Sequence, residues 1–148
     1  MVKVLIVAAI AWPGLLGAAL EARVHDTAPV FVSAIYLSAS RVCHQRPERS
    51  FHRHGVSWPV CGRCSGLYLG GAAGAIVAAV SLRRRRHAPR MVAWLVLAAL
   101  PTAATVVLEW TGLGAVTTVA RAVAAVPLGA LVAFVIIRTA AGSSRAIE

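Results

Sequence analysis

The sequence predicts an all-α integral membrane protein: a helical bundle of about four transmembrane helices, a short interfacial helix and a Cys/His-rich loop. Hydrophobic residues make up 59% of the chain and charged residues only 14%. Soluble domains carry about 25% charged residues, so this chain has too little polar surface to cover a water-soluble globule. The apolar residues fall in long runs separated by short polar segments, as expected of membrane spans and their loops. We expect one membrane domain over residues 1–148.

Four apolar runs are long enough to cross the hydrocarbon core of a bilayer. The spans are predicted at residues 2–20, 65–82, 91–108 and 119–137. The apolar run between Pro29 and Arg41 is too short to cross ~30 Å at a rise of ~1.5 Å per residue. We interpret it as an interfacial helix, and a fifth span is the alternative.

Three glycines of the second span, Gly66, Gly70 and Gly74, lie four residues apart. Small residues at this spacing let two helices approach closely in lipid. We expect them to pack against another helix of the same subunit. A contact face of a homo-oligomer is the alternative.

The side chains that could bind a metal or take part in a reaction are concentrated in one loop, residues 41–64. The loop holds all three cysteines, Cys43, Cys61 and Cys64, and three of the five histidines. An odd number of cysteines excludes a fully paired disulfide framework within one chain. The thiols therefore bind something, join a second chain, or leave one cysteine free.

This loop carries the pattern C-H-Q, R-S-F and P-V-C-x-R-C-x-G-x-Y-x-G. It resembles the signature of a bacterial family of small membrane proteins called domain of unknown function 2085. The residues that carry the resemblance are Cys43, His44, Gln45, Arg49, Ser50, Phe51, Pro59, Cys61, Arg63, Cys64, Gly66, Tyr68 and Gly70. Pro101 and Arg121 also resemble the family, and the resemblance covers about residues 30–138. The resemblance implies a membrane helical bundle and a functional site in this loop, but it implies no particular activity.

The cysteines and one histidine suit a transition-metal site. Cys61 and Cys64 can grip an ion from one side, and Cys43 with one imidazole completes a tetrahedral Cys₃His set. Zinc is the metal that this ligand set favours, and another transition metal is the alternative. His44 is the predicted fourth ligand because it belongs to the family-like motif. The substitutes are His52 and His54.

Two other interpretations of the cysteines stay open. The first is a redox-active or structural Cys61–Cys64 disulfide beside a third thiol, which would suit a membrane thiol-disulfide oxidoreductase. The second is a set of plain buried thiols in helix packing. If the ion is catalytic, the enzyme would be a metal-dependent membrane hydrolase. Whether the protein is an enzyme is left open by the sequence.

Four spans would bring the loop, the end of the third span and the start of the fourth to one membrane face. Glu109 is then expected to pair with Arg121, Arg49 or Arg63. The candidates for catalytic roles are Glu109, His44, Arg49 and Arg63. The arginines either hold irregular backbone together or form an anion site for phosphate or carboxylate head groups.

Basic residues also predict orientation and partners. Four consecutive arginines at 83–86 favour a cytoplasmic position for their loop. The protein is then a multi-pass protein of the bacterial inner (plasma) membrane with an extracytoplasmic Cys/His loop. The lipid bilayer is the expected partner, with anionic lipid head groups as candidate ligands. The basic residues that give the net charge of +10 lie between apolar runs. Nucleic-acid-binding proteins instead carry a basic patch with stacking aromatics on a soluble scaffold, so no nucleic-acid partner is expected.

Overall fold

The computed structural model describes residues 2–81 and 91–145 of the chain. The predicted cytoplasmic loop at 83–86 lies outside the described residues. In chain order the helices are α1 (Val2–Val24), α2 (Pro29–Ser40), α3 (Gly62–Ser81), α4 (Met91–Thr111) and α5 (Thr118–Arg145).

The predicted helical membrane bundle is confirmed. Within the described ranges, α1, α3, α4 and α5 are each long and apolar enough to cross a membrane. α2 has 12 residues, a length of about 18 Å, which is shorter than the hydrocarbon core. α5 continues helically beyond the predicted end of the fourth span at residue 137. Two alanines that follow Thr139 favour this continuation, because alanine has the highest helix propensity.

The centre of the bundle is the contact between α3 and α5, the most extensive contact between two elements. A Cβ atom on Gly66 would lie 1.9 Å from the carbonyl oxygen of Ala122, and one on Gly74 would lie 1.9 Å from that of Ala130. These distances are far below van der Waals contact, so only glycine permits this approach. The glycine face is therefore occupied within the chain, as the intrasubunit interpretation expects.

The segment predicted as a loop contains a β-hairpin that the sequence interpretation missed. Strands β1 (Ser50–Arg53) and β2 (Val56–Cys61) are antiparallel, with Ser50 opposite Cys61. The two turn residues, His54 and Gly55, have φ angles of 49° and 78°. Two consecutive positive φ angles suit a tight two-residue hairpin turn with the right-handed twist of the strands. Glycine at the second turn position was the available signal.

The hairpin covers one end of the bundle. β2 packs against α1 and α2, and its Val60 is buried in a cluster with Leu16, Ala39 and Cys43. A short 3₁₀ helix (Pro47–Arg49) leads into β1. Because β2 passes directly into α3, the hairpin and the first turn of α3 form one continuous support for the cysteines.

Candidate metal centre and the adjacent charged cavity

The three cysteines converge at the end of the bundle that the hairpin covers. Their sulfur atoms all lie within 4.8 Å of one another, and all three cysteines are free. In a tetrahedral zinc site with Zn–S bonds of ~2.3 Å, the sulfurs lie ~3.8 Å apart. Small side-chain rotations would close the difference, so this group could hold a metal ion.

Three different elements place the cysteines. Cys43 follows α2, and its amide donates a hydrogen bond to the carbonyl oxygen of Ala39 at 3.0 Å. Cys61 ends β2, and Cys64 lies in the first turn of α3. The backbone amide of Cys61 donates a hydrogen bond to the Sγ of Cys43 at 3.2 Å. The positive end of the α3 dipole also lies here, which favours thiolates.

The surroundings of Cys61 favour its thiolate form by lowering its pKa. A hydrogen bond from the Cys64 side chain is the largest cause that lowers the pKa of Cys61, from its ordinary value of 9.0 to about 5. The backbone amide of Cys64 and the side chain of Cys43 lower it further, while burial acts in the opposite direction. Since metals bind the thiolate form, Cys61 needs little proton release to become a ligand at neutral pH.

No histidine joins the three sulfurs in the described part of the chain. His44 is exposed although it borders the same cavity, whereas its neighbour Cys43 is buried. His52 lies 3.2 Å from the Ser57 hydroxyl through its Nε2, and His54 is exposed at the hairpin turn. A histidine ligand at the fourth position therefore stays a prediction.

Gln45 holds the cysteine-bearing segments together, a role that the sequence interpretation did not assign. Its Nε2 donates hydrogen bonds to the carbonyl oxygens of Tyr36 and Pro59, each at 2.8 Å. The Tyr36 hydroxyl in turn donates to the carbonyl oxygen of Ser57 at 2.8 Å. These bonds tie the end of α2 to β2, and so set Cys43 against Cys61. The available signal was a long amide side chain between polar neighbours in an otherwise apolar chain.

Glu109 near the end of α4 is held by three arginines. Its Oε1 accepts hydrogen bonds from Arg121 Nε and from Arg63 Nη2, the latter at 3.3 Å. Its Oε2 lies 3.8 Å from Arg49 Nη1. The structure thus joins Glu109 with all three predicted partners at once, and the side chain of Glu109 is only 14% exposed. With both oxygens engaged, the carboxylate is an anchor for arginines from the 3₁₀ helix, α3 and α5.

Arg63 connects the charged cluster to the cysteines, because it lies between Cys61 and Cys64 in the chain. Besides Glu109, its Nη2 contacts the Thr105 hydroxyl at 3.3 Å. Its Nε is buried and has no hydrogen-bond partner within residues 2–81 and 91–145. Thr105 was not a predicted site residue; it lies four residues before Glu109, on the same face of α4.

A cavity of about 460 Å³ opens between the sulfurs and the arginines. It is lined by all three cysteines together with His44, Arg46, Arg49, Arg63 and Arg121. The cysteine group and the guanidinium groups therefore face one space. Chemically, this arrangement offers a small anion several charged hydrogen-bond donors beside a sulfur group that could hold a metal ion.

Two uncharacterized proteins match short segments of this chain. A segment of 29 residues is 55% identical to an uncharacterized protein of Methanothermobacter thermautotrophicus, over 20% of this chain and 26% of that protein. A segment of 48 residues is 44% identical to uncharacterized protein MJ1492 of Methanocaldococcus jannaschii, over 32% of this chain and 31% of that protein. The matches therefore span about a quarter and a third of these relatives. No solved structure matches the chain.

The family described as "Predicted membrane protein (DUF2085)" matches residues 43–135. The matched residues begin at Cys43 and include Cys61, Cys64 and Glu109 as well as Arg121. The motif, the four apolar helices and this match agree: the chain belongs to the DUF2085 family of predicted membrane proteins.

Proposed function

We propose that this protein binds one transition-metal ion, with zinc as the first candidate, through Cys43, Cys61 and Cys64 at one face of the membrane. The observation that supports this proposal is the convergence of the three sulfurs within 4.8 Å. An amide-to-sulfur hydrogen bond within the group stabilises a sulfur that carries negative charge. Thiolate sulfurs are soft metal ligands, and soft ligands select zinc among the common divalent ions.

The fourth coordination position decides between a structural and a catalytic ion. Structural zinc sites have four protein ligands, whereas catalytic sites keep one position for water or substrate. We propose His44 as the fourth ligand or, if the position stays open, as the proton-handling group of a metal-dependent hydrolase. Its exposure and its place on the cavity wall are compatible with both roles. Glu109 suits neither role, because three arginines engage its carboxylate.

The test combines elemental analysis with thiol titration of the purified full chain. We expect one metal ion per chain and no thiol that reacts without prior metal removal. Cys43→Ser, Cys61→Ser and Cys64→Ser should each lower the metal content, while His52→Ala, whose imidazole lies beside Ser57, should retain it. His44→Ala distinguishes a site with four protein ligands from one with an open fourth position, because it weakens metal binding only if His44 is a ligand. A metal-free protein with three reactive thiols would contradict the proposal.

A second candidate is a membrane thiol-disulfide oxidoreductase, favoured by the position of Cys61-x-x-Cys64 at the start of α3. The Cys61 thiolate would attack a sulfur of a partner disulfide, and Cys64 would then displace the partner. The partner gains two electrons and ends as two thiols, while Cys61 and Cys64 end as a disulfide. Cys64→Ser would trap the mixed disulfide with a small disulfide such as oxidised glutathione. One free thiol, one disulfide and no metal in the native protein would favour this candidate over zinc.

The location proposed for the site is the outer face of a bacterial plasma membrane. This orientation rests on the four arginines at 83–86, which favour a cytoplasmic position for the loop between α3 and α4. The hairpin lies at the other end of α3, on the opposite side of the membrane. A membrane-impermeant maleimide applied to intact cells in the presence of a chelator should then label the cysteines. Labelling only after cell lysis would reverse the orientation.

A further inference from the structure

The cavity beside the three sulfurs carries unbalanced positive charge. Three guanidinium groups, those of Arg49, Arg63 and Arg121, share the single carboxylate of Glu109. With a divalent ion bound, three thiolates and Glu109 carry four negative charges, against five positive charges on the ion and the three arginines. Arg46 also lines the cavity, and Glu48 at 4.0 Å balances its charge. One further negative charge is needed for neutrality in this partly buried place, where unpaired charge is costly.

The unpaired Nε of Arg63 indicates where such an anion is needed. A buried guanidinium N–H without a partner loses the hydrogen bond that water would have given it. Arg63 lines the cavity and its Nε has almost no exposed surface, so a rotation of this side chain would let an anion bound there accept the bond. Phosphate and carboxylate groups match the planar fork of arginine, which offers two parallel donors.

An open apolar groove farther along the bundle, lined in part by the exposed side chains of Val77, Trp94 and Leu97, indicates what carries the anion. This groove of about 550 Å³ lies between α3, α4 and α5, and its lining includes Gly74, Ala98 and Leu131. Ala98, Thr102, Thr105 and Glu109 follow one another at spacings of four, three and four residues, so they share one face of α4. Eleven residues separate Ala98 from Glu109, about 16 Å along the helix. The groove and the charged cluster therefore lie at two depths along one face of α4, and between them the Thr102 hydroxyl donates a hydrogen bond to the carbonyl oxygen of Ala124 at 2.9 Å.

We propose that the cavity binds the phosphate of an anionic phospholipid, with Arg49, Arg63 and Arg121 as its ligands and one acyl chain in the groove. The proposal rests on the proposed metal site for its charge balance. The phosphate monoester of phosphatidic acid carries at least one negative charge at neutral pH, which supplies the charge that the cluster lacks. A free phosphate ion would satisfy the arginines and leave the groove unused.

The lipid test compares two arginines at the same end of the bundle. Arg49→Ala removes a half-exposed arginine of the cavity, which makes the longest of the three contacts with Glu109. Arg53→Ala removes the same charge from an arginine that pairs with Glu21 and is not among the cavity-lining residues. Binding of phosphatidic acid to the purified full chain is measured by native mass spectrometry, with phosphatidylcholine as the neutral lipid. We expect Arg49→Ala to weaken phosphatidic acid binding about tenfold or more and Arg53→Ala to change it by less than about threefold.

Two further arms separate a lipid from a free anion. Inorganic phosphate should bind at least about tenfold more weakly than phosphatidic acid, because it buries no acyl chain. Ala98→Phe fills the groove and should weaken the lipid but not phosphate, whereas Ala93→Phe at an exposed α4 position should change neither. Metal content is measured on every sample, so a failed metal site is distinguished from a failed lipid site. Equal binding of both lipids, equal effects of the two arginine variants, or phosphate as tight as phosphatidic acid would overturn the proposal.

Discussion

The backbone amide of Cys61 donates a hydrogen bond to the Sγ of Cys43, and this bond joins two parts of the motif that are 18 residues apart. The same sulfur group contains the Cys64 thiol, which lowers the pKa of Cys61 to about 5. The two cysteines of the C-x-x-C motif are therefore not equivalent. Cys61 is the cysteine of this pair whose pKa is lowered, and Cys43 is the buried sulfur that accepts the hydrogen bond from the Cys61 amide.

This difference predicts selective alkylation of the metal-free protein. Iodoacetamide reacts with thiolates, and a lowered pKa means that Cys61 is already ionised at neutral pH. We expect Cys61 to be alkylated first, at a rate that stays nearly constant from pH 9 down towards about 5 and falls below that value. An ordinary thiol would lose reactivity throughout that range, because its pKa is 9.0. Peptide mass spectrometry after timed quenching gives the three rates.

The matched measurement is the same labelling after zinc is added back. Bound zinc should protect all three cysteines, since a coordinated thiolate is a poor nucleophile for an alkylating agent. Three equal labelling rates in the metal-free protein, each falling steadily below pH 9, would show that Cys61 is an ordinary thiol.

Removal of the carboxylate at Glu109 should strongly destabilise the fold. Glu109→Gln leaves Arg49, Arg63 and Arg121 close together without their shared counter-charge. Loss of one partner from a buried charged cluster costs about 3–5 kcal/mol of unfolding free energy. Thermal or denaturant unfolding of the purified protein in detergent measures the loss.

Glu48→Gln is the matched control for Glu109. Glu48 lies 4.0 Å from Arg46, and both side chains are about 60% exposed. An exposed ion pair contributes at most about 1 kcal/mol. Similar losses for Glu48→Gln and Glu109→Gln would mean that the Glu109 cluster has no special structural role.

The sequence was sufficient for the bundle but not for the local geometry of the site. Long apolar runs predict spans because lipid requires every backbone polar group to be satisfied within a helix. The pairing of Glu109 with arginines followed from the rule that successive spans alternate in direction, which brings the end of α4 and the start of α5 to the same face. Both inferences use constraints that act over many residues.

The hairpin and the identity of a fourth ligand were beyond the sequence, because each depends on a few local contacts. The segment 41–64 has no long periodicity, and its strands of four and six residues are too short to stand out. The choice among His44, His52 and His54 depends on side-chain directions that neighbouring residues set. The role of Gln45 could not be predicted for the same reason, since its hydrogen bonds reach Tyr36 and Pro59 on two other elements.

The contact between α3 and α5 predicts opposite outcomes for two adjacent glycines. A Cβ atom on Gly70 would lie 2.2 Å from the carbonyl oxygen of Val126, which is backbone and cannot rotate away. Gly70→Ala should therefore force the two helices apart and cost about 1–3 kcal/mol or more. At Gly71 the nearest atom, the Gly129 carbonyl oxygen, would be 3.9 Å away, an ordinary contact. Gly71→Ala should be neutral or slightly stabilising, because alanine is the better helix former.

Melting temperatures of these two variants in one detergent provide the comparison. The two substitutions add the same methyl group to neighbouring positions of one helix, so differences in hydrophobicity cancel. A Gly70→Ala protein as stable as Gly71→Ala would show that α3 and α5 do not approach each other this closely.

Gln45 is expected to support the metal centre without touching the ion. Gln45→Ala removes both hydrogen bonds that tie α2 to β2, and loss of part-buried bonds should cost about 1–3 kcal/mol of unfolding free energy. Because the freed segments carry Cys43 and Cys61, zinc affinity should also fall about 10–100-fold, as it does when supporting contacts of other metal sites are lost. Zinc competition with a chromophoric chelator measures the affinity. Ser38→Ala, which removes an exposed hydroxyl bonded to Ala34 within α2, should change stability by less than about 0.5 kcal/mol. Unchanged zinc affinity in Gln45→Ala would mean that the cysteines keep their arrangement without this amide.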